Sequence, residues 1–105
     1  MVRPRVSSLR VELDALVAEY RRELPQKLAH LDALLAEARL ARLKRELHTL
    51  AGSAGTFGMP RLGEAALAAE AYLDSCGSRV DDAQRAELGR LLALLREASA
   101  TIERP

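Results

Sequence analysis

The chain has 105 residues, with 16 basic and 15 acidic side chains and a net charge of +1. This length fits one domain with a single core and excludes a separate catalytic domain. The balanced charge and the scarcity of aromatic residues, 3% of the chain, argue against a nucleic-acid partner. The chain lacks the ~20-residue apolar run of a membrane span and the apolar segment of a signal peptide, so we expect a cytoplasmic protein without a membrane partner.

The first part of the chain is expected to be helical after a flexible segment at residues 1–7. Apolar residues follow helical spacing from Leu9 to Leu24. Pro25 removes one backbone donor and should kink this helix or begin a new one. The apolar stripe then continues until its periodicity slips near residues 37–39, where we place a break although no glycine or proline marks a turn.

A second helix is predicted from Leu40 to Phe57. Gly58 supplies a C-terminal cap, and Pro60 suits the first turn of a third helix that continues to about Asp74.

Residues 75–78 then form a loop, and Asp81 with Gln84 makes a capping pair for a last helix through about Ile102. Few residues are β-branched, and no strict alternation persists, so the fold class is all-α. Short connections between amphipathic helices predict an antiparallel up-and-down bundle in which all 105 residues form one domain.

The second helix carries glycines that a helix interior does not favour, within the stretch LHTLAGSAGTFGMP at residues 47–60. Each interior glycine costs about 1 kcal/mol relative to alanine. One helical face holds the leucines and points to the core, and a second stripe about a third of a turn away is formed by Ala41, Lys44, His48, Gly52 and Gly55. We interpret the glycines as clearing space beside an exposed histidine, with close helix packing as the alternative.

A carboxylate is expected beside this histidine. His48 lies ten residues before Gly58, and Glu70 lies ten residues after Pro60, so the two face each other if their helices run antiparallel. A carboxylate that accepts a hydrogen bond from one ring nitrogen leaves the other nitrogen as a nucleophile. The alternative is that Glu70 is an ordinary solvated helix charge.

The stretch from His48 to Gly58 resembles the signature of histidine-containing phosphotransfer (HPt) domains, in which His-x-x-Lys-Gly precedes a second glycine. The string Gly-Thr-Phe-Gly at residues 55–58 is similar to the phosphotransfer domain of chemotaxis histidine kinases. The resemblance covers about residues 20–75. It implies a four-helix bundle with an extra N-terminal helical segment, phosphorylation of His48, and orientation of its ring by Glu70.

This chain departs from the family pattern at one position, because Ala51 stands where the family commonly has lysine. That lysine is thought to help hold the phosphoryl group, so the change bears on transfer efficiency. Lys44, one turn before His48 on the same stripe, is predicted to supply a charge instead.

The partners implied by the resemblance are response-regulator receiver domains or a histidine kinase. A receiver would bring its own Mg²⁺, so the chain itself needs no metal or other cofactor and acts as a phosphocarrier without turnover chemistry of its own. We predict that the partner docks over the glycine-bearing stripe. The predicted docking residues are Leu40, Ala41, Arg45, Ala51, Gly52, Gly55, Met59 and Arg61.

Two other classes of function are considered. A degenerate HPt domain could act as a phosphorylation-independent helical interaction module, which the alanine at residue 51 favours. A metal or hydrolytic site could use His30, His48 or Cys76, but no two of these have ligand-like spacing. A single cysteine also excludes an internal disulfide framework.

Overall fold

The computed structural model describes residues 5–100 and the side chains of residues 8–100. It consists of four helices, α1 (Arg5–Ala36), α2 (Leu40–Thr56), α3 (Pro60–Ser75) and α4 (Asp82–Ala100). Each helix packs against the next along the chain, and α1 packs against α4, whereas the diagonal pairs of these described helices have no Cα atoms within 8 Å of each other. This arrangement is the predicted antiparallel four-helix bundle.

One leucine-rich core lies between the helices. No polar or charged side chain of the described residues is buried, so the core needs no internal ion pair. Burying each leucine contributes roughly 1.5–3 kcal/mol relative to leaving it exposed. The largest fully buried side chains are Leu43, Leu47, Met59, Leu62, Leu88, Leu92 and Leu95.

The extra N-terminal segment is the first half of α1 rather than a separate helix. α1 has 32 residues and continues through Pro25, so the proline begins no new helix. The other helices have 16 to 19 residues, and α1 is buried against them only from Tyr20 onward. Among the described residues before Tyr20, the exposed large apolar side chains are Leu9, Val11, Leu13 and Leu16. Residues 1–4 and Ile102 lie outside the described residues, and α1 already begins inside the segment predicted to be flexible.

Tyr20 attaches α1 to the last turns of α2. Its ring stacks on Phe57 with centroids 4.5 Å apart, and its hydroxyl lies 2.8 Å from Ser53 Oγ. Ser53 Oγ also lies 3.3 Å from the Leu50 carbonyl oxygen, so this contact is linked to the backbone of α2. Burial raises the pKa of Tyr20, and the bond to Ser53 opposes that rise.

The turn between α1 and α2 is closed by a Schellman motif without a glycine. The Arg39 amide donates to the Leu34 carbonyl at 2.9 Å, and the Ala38 amide donates to the Leu35 carbonyl at 3.0 Å. Ala38 has φ 56°, in the left-handed region where a Cβ is unfavourable. The predicted break at residues 37–39 is therefore confirmed, but an alanine occupies the position that glycine usually takes.

We expect Ala38→Gly to raise the free energy of unfolding by about 1 kcal/mol, because glycine adopts a positive φ without strain. Urea denaturation measures the change. Gly58→Ala is the matched control, since Gly58 has φ 76° in the corresponding turn after α2, and it should lower stability by a similar amount. A loss of stability in Ala38→Gly would contradict this account of the turn.

The remaining helix ends follow the predicted signals. After Gly58, α3 begins at Pro60. The backbone N–H of Gln84 donates to Asp81 Oδ1 at 2.7 Å, and the backbone N–H of Asp81 donates to Gln84 Oε1 at 2.9 Å. The predicted capping pair before α4 is therefore confirmed. Within the described part of the chain, no helix combines the length and apolar character that crossing a bilayer requires.

Candidate functional site

His48 projects from the middle of α2 into solvent. Its side chain is 74% exposed, although Leu47 beside it is fully buried. Ring atom Nδ1 lies 3.0 Å from Glu70 Oε2 and 3.2 Å from Glu70 Oε1. No other hydrogen bond to the ring is formed by the described residues. The imidazole is therefore held at one nitrogen, and its other nitrogen, Nε2, is available to a visiting molecule.

The Glu70 side chain is partly buried where α3 packs on α2. Its side chain is 16% exposed, much less than that of His48. A neutral imidazole that donates its Nδ1 proton to this carboxylate carries its free electron pair on Nε2. The contact thus sets both the direction of the ring and the tautomer that suits a nucleophile.

The contact belongs to a regular register between the antiparallel helices α2 and α3. Four residues further from their shared turn, Lys44 on α2 bonds to Asp74 on α3. Nearer the turn, Gly63 on α3 approaches the backbone of α2: a Cβ at Gly63 would lie 3.2 Å from the Ala51 carbonyl and 3.7 Å from the Gly55 nitrogen. Gly63 is therefore the glycine that close helix packing requires.

Gly52 and Gly55 have a different environment. A Cβ at either position would meet nothing within 4 Å, and both residues are exposed. Since neither glycine is needed for packing, their effect is to leave the surface beside His48 free of protruding side chains. This geometry supports the interpretation that these glycines give access to the histidine.

Two shallow depressions meet at His48. One, of about 420 Å³, is lined by residues that include Ala51, Gly52, Gly55 and Glu64. The other, of about 360 Å³, is lined by residues that include Lys44, Glu70 and Asp74. Both are also lined by Leu67, an α3 side chain that is 57% exposed.

Leu67 is the large apolar residue of this surface that sequence reasoning missed. It lies one turn before Glu70, so its position three residues from the predicted histidine partner was the available signal. An exposed leucine beside small residues gives the surface an apolar centre.

Lys44 is beside the histidine but already has a partner. Its amino group hydrogen bonds to the Asp74 carboxylate, and both side chains are largely exposed. This bond and the charge of Asp74 raise the pKa of Lys44, and the charge of Glu70 adds a smaller contribution in the same direction. Lys44 therefore stays a cation at neutral pH.

The prediction that Met59 belongs to the docking surface is wrong. Met59 is 1% exposed and forms part of the core. Its amide donates to the Ala54 carbonyl at 2.8 Å, which places it immediately after the left-handed Gly58 in a Schellman motif. An apolar residue at that position packs back onto the helix that has just ended.

The other predicted docking residues are divided between places. Leu40, Ala41 and Arg45 line a third depression near the α1–α2 turn, which does not include His48. Leu40 is half-buried there, whereas Ala41 and Arg45 are exposed. Arg61 is exposed in the first turn of α3. Thus Lys44, Ala51, Gly52 and Gly55 line the depressions at His48. Leu40, Ala41, Arg45 and Arg61 do not line them.

The residues considered for a metal or hydrolytic site lie apart. His30 lines a cleft of about 390 Å³ between α1 and α2 that does not include His48. Cys76 is half-buried, and its thiol donates to the Tyr72 carbonyl at 3.3 Å. Among residues 5–100, no group of three or more metal-ligating side chains is close enough to hold an ion.

The fold and the site define the chain as a helical-bundle domain in which an exposed histidine, His48, is oriented by a carboxylate from the following helix. The family model described as Hpt domain matches residues 15–101, and the chain belongs to this family. Hpt domains are phosphocarrier modules that carry out phosphotransfer on histidine in two-component signalling, where they interact with receiver domains and kinases. Comparison with curated proteins and with solved structures found no match.

Proposed function

We propose that this domain is a cytoplasmic phosphorelay intermediate. His48 accepts a phosphoryl group from a receiver-domain aspartate or a histidine kinase and passes it to another receiver. The observation that carries the proposal is the 3.0 Å contact of Nδ1 with Glu70 on a ring that is 74% exposed. It supports a nucleophile that is held in place yet open to a large partner.

The transfer step follows from the tautomer. The Nε2 electron pair attacks phosphorus, the bond between phosphorus and the donor aspartate oxygen breaks, and its electrons leave with the aspartate carboxylate. The proton on Nδ1 stays, so the phosphorylated ring carries a positive charge that the Glu70 carboxylate stabilises. Transfer to a second receiver reverses these bond changes.

The partner supplies the rest of the chemistry. A receiver domain would bring Mg²⁺ and its own aspartate, and such groups stabilise the loose transition state of phosphoryl transfer. This chain contributes the nucleophile and its alignment, which account for much of the rate in such reactions. It therefore acts as a carrier with no turnover chemistry of its own.

The docking surface in this proposal is centred on Leu67 and the two depressions that it shares with His48. Gly52 and Gly55 let the partner approach, and Leu67 gives it an apolar contact. The exposed cations Arg45 and Arg61 are assigned to the edge of the docking surface, where they would face acidic residues of the receiver. Charges at the edge of an interface affect the association rate more than the affinity.

We expect Leu67→Ser to lower receiver-dependent labelling of His48 by about tenfold, because it removes the apolar centre of the docking surface. The variant should be labelled normally by phosphoramidate, a donor too small to need docking. Leu94→Ser on α4 is the matched control, since Leu94 is another exposed leucine, at 40%, and its loss should leave both rates unchanged. Equal receiver-dependent rates for the Leu67 and Leu94 variants would exclude this docking surface.

Phosphotransfer profiling tests the proposed function. The purified protein is incubated with each phosphorylated receiver of the source organism, and acid-labile phosphate on this chain is followed with time. Transfer to the chain and onward to a second receiver is the expected result. Complete absence of label, together with stable receiver binding, would instead identify a phosphorylation-independent module, the function that Ala51 favours.

A further inference from the structure

The pair formed by Lys44 and Asp74 lies one helical turn from the pair formed by His48 and Glu70. Lys44 precedes His48 by four residues on α2, and Asp74 follows Glu70 by four residues on α3, so both pairs share one register. Side chains four residues apart on a helix are neighbours. All four side chains line the same depression.

Lys44 is the only cation in the lining of either depression beside His48, as far as the described residues show. The alanine at residue 51 offers no charge on the other side of the ring. A phosphoryl group on Nε2 would therefore find one cation in the lining of these two depressions, and that cation is already bound to Asp74.

We propose that Asp74 is a positioning residue that holds Lys44 beside the phosphoacceptor and competes with the phosphoryl group for it. Lys44 leaves Asp74 when the phosphoryl group arrives. This inference rests on the proposed function of His48. In the unphosphorylated protein Lys44 bonds to the Asp74 carboxylate. After transfer its ammonium group bonds to the phosphoryl oxygens, and Asp74 becomes solvated.

The charges and the exposure of the pair favour this exchange. The Lys44 and Asp74 side chains are 45% and 66% exposed, and exposed ion pairs of this kind are weak. A phosphoryl group carries more negative charge than a carboxylate and offers three strong acceptor oxygens. Because the exchange still requires breaking an ion pair, Asp74 moderates the stabilisation of the phosphohistidine and keeps the group transferable.

The test measures the rate at which phosphoramidate labels His48 in the full chain. Asp74→Asn keeps an acceptor for Lys44 but removes the competing charge, and we expect it to raise the labelling rate about two- to fivefold. Lys44→Met should lower the rate by a similar factor. In the Lys44→Met background, Asp74→Asn should have no effect, because Asp74 acts through the lysine.

A matched control separates this role from a general change in surface charge. Glu46 on α2 pairs with Arg42 at 3.5 Å in another ion pair with solvent-accessible partners, and its side chain is 40% exposed, but it lines neither depression beside His48. Glu46→Gln should leave the labelling rate unchanged.

Three outcomes would overturn the inference. Asp74→Asn with an unchanged rate would exclude it, and so would the same increase with and without Lys44, which would indicate direct repulsion by Asp74. Failure to label His48 in the unmodified protein would overturn the proposed function and this inference together. The first two outcomes would overturn this inference alone.

Discussion

His48→Gln should abolish acid-labile phosphate on the chain with every donor, because it removes the ring nitrogen that we assign as the nucleophile. The fold should be preserved. The His48 side chain is 74% exposed, and the glutamine amide can still donate a hydrogen bond to Glu70, so we expect a stability change within about 0.5 kcal/mol. Labelling with phosphorylated receivers and with phosphoramidate, together with thermal unfolding, measures both parts of this prediction.

The control for this experiment is the other histidine. His30 is exposed on α1 and lies in a cleft that does not include His48, so His30→Gln should be labelled at the rate of the unmodified protein. Acid-labile phosphate that remains on His48→Gln, or that is lost from His30→Gln, would show that the phosphoacceptor has been assigned to the wrong residue.

Substitutions at Gly52 and Gly55 should change stability and transfer in opposite directions. A Cβ meets no atom within 4 Å at either position, so Gly52→Leu and Gly55→Leu should each raise the free energy of unfolding by about 0.8 kcal/mol through helix propensity. The same side chains would occupy the surface on which we propose that a receiver docks. We expect receiver-dependent labelling to fall by about tenfold or more, while labelling by phosphoramidate persists.

Two other glycines provide controls for this prediction. Gly89 on α4 also has open space where a Cβ would lie, so Gly89→Leu should stabilise the protein without affecting transfer. Gly63→Ala should destabilise it, because the added Cβ would lie 3.2 Å from the Ala51 carbonyl. Normal receiver-dependent labelling in Gly52→Leu and Gly55→Leu would show that these glycines do not serve access.

The contact between His48 and Glu70 was predictable because it depends only on the position of one turn and on the antiparallel packing of the two helices that the turn joins. The turn between α2 and α3 is short and marked by Gly58 and Pro60, so counting residues outward from it identifies the facing positions. The helix ends were predictable for the same reason, since caps depend on local sequence. The α1–α2 turn was predicted only from a slip in periodicity, because its left-handed residue is Ala38 instead of a glycine.

Met59 and Leu67 show what a helical wheel does not reveal. Met59 follows the end of α2, where helical periodicity no longer gives a side-chain direction, and the Schellman motif turns it into the core. Leu67 is one leucine among many, and its exposure depends on how α3 is rotated against α2 and α4. The long α1 presented a similar difficulty, because an apolar stripe does not show where neighbouring helices cease to cover it.

All residues that line the two depressions at His48 come from α2 and α3, including Pro60 at the start of α3. The helices α1 and α4 pack behind this hairpin, and none of their described residues lines either depression at His48. We therefore expect insertions or substitutions on the exposed faces of α1 and α4 to leave the site intact, whereas adding or removing one residue in the turn at residues 57–59 would move His48 out of register with Glu70.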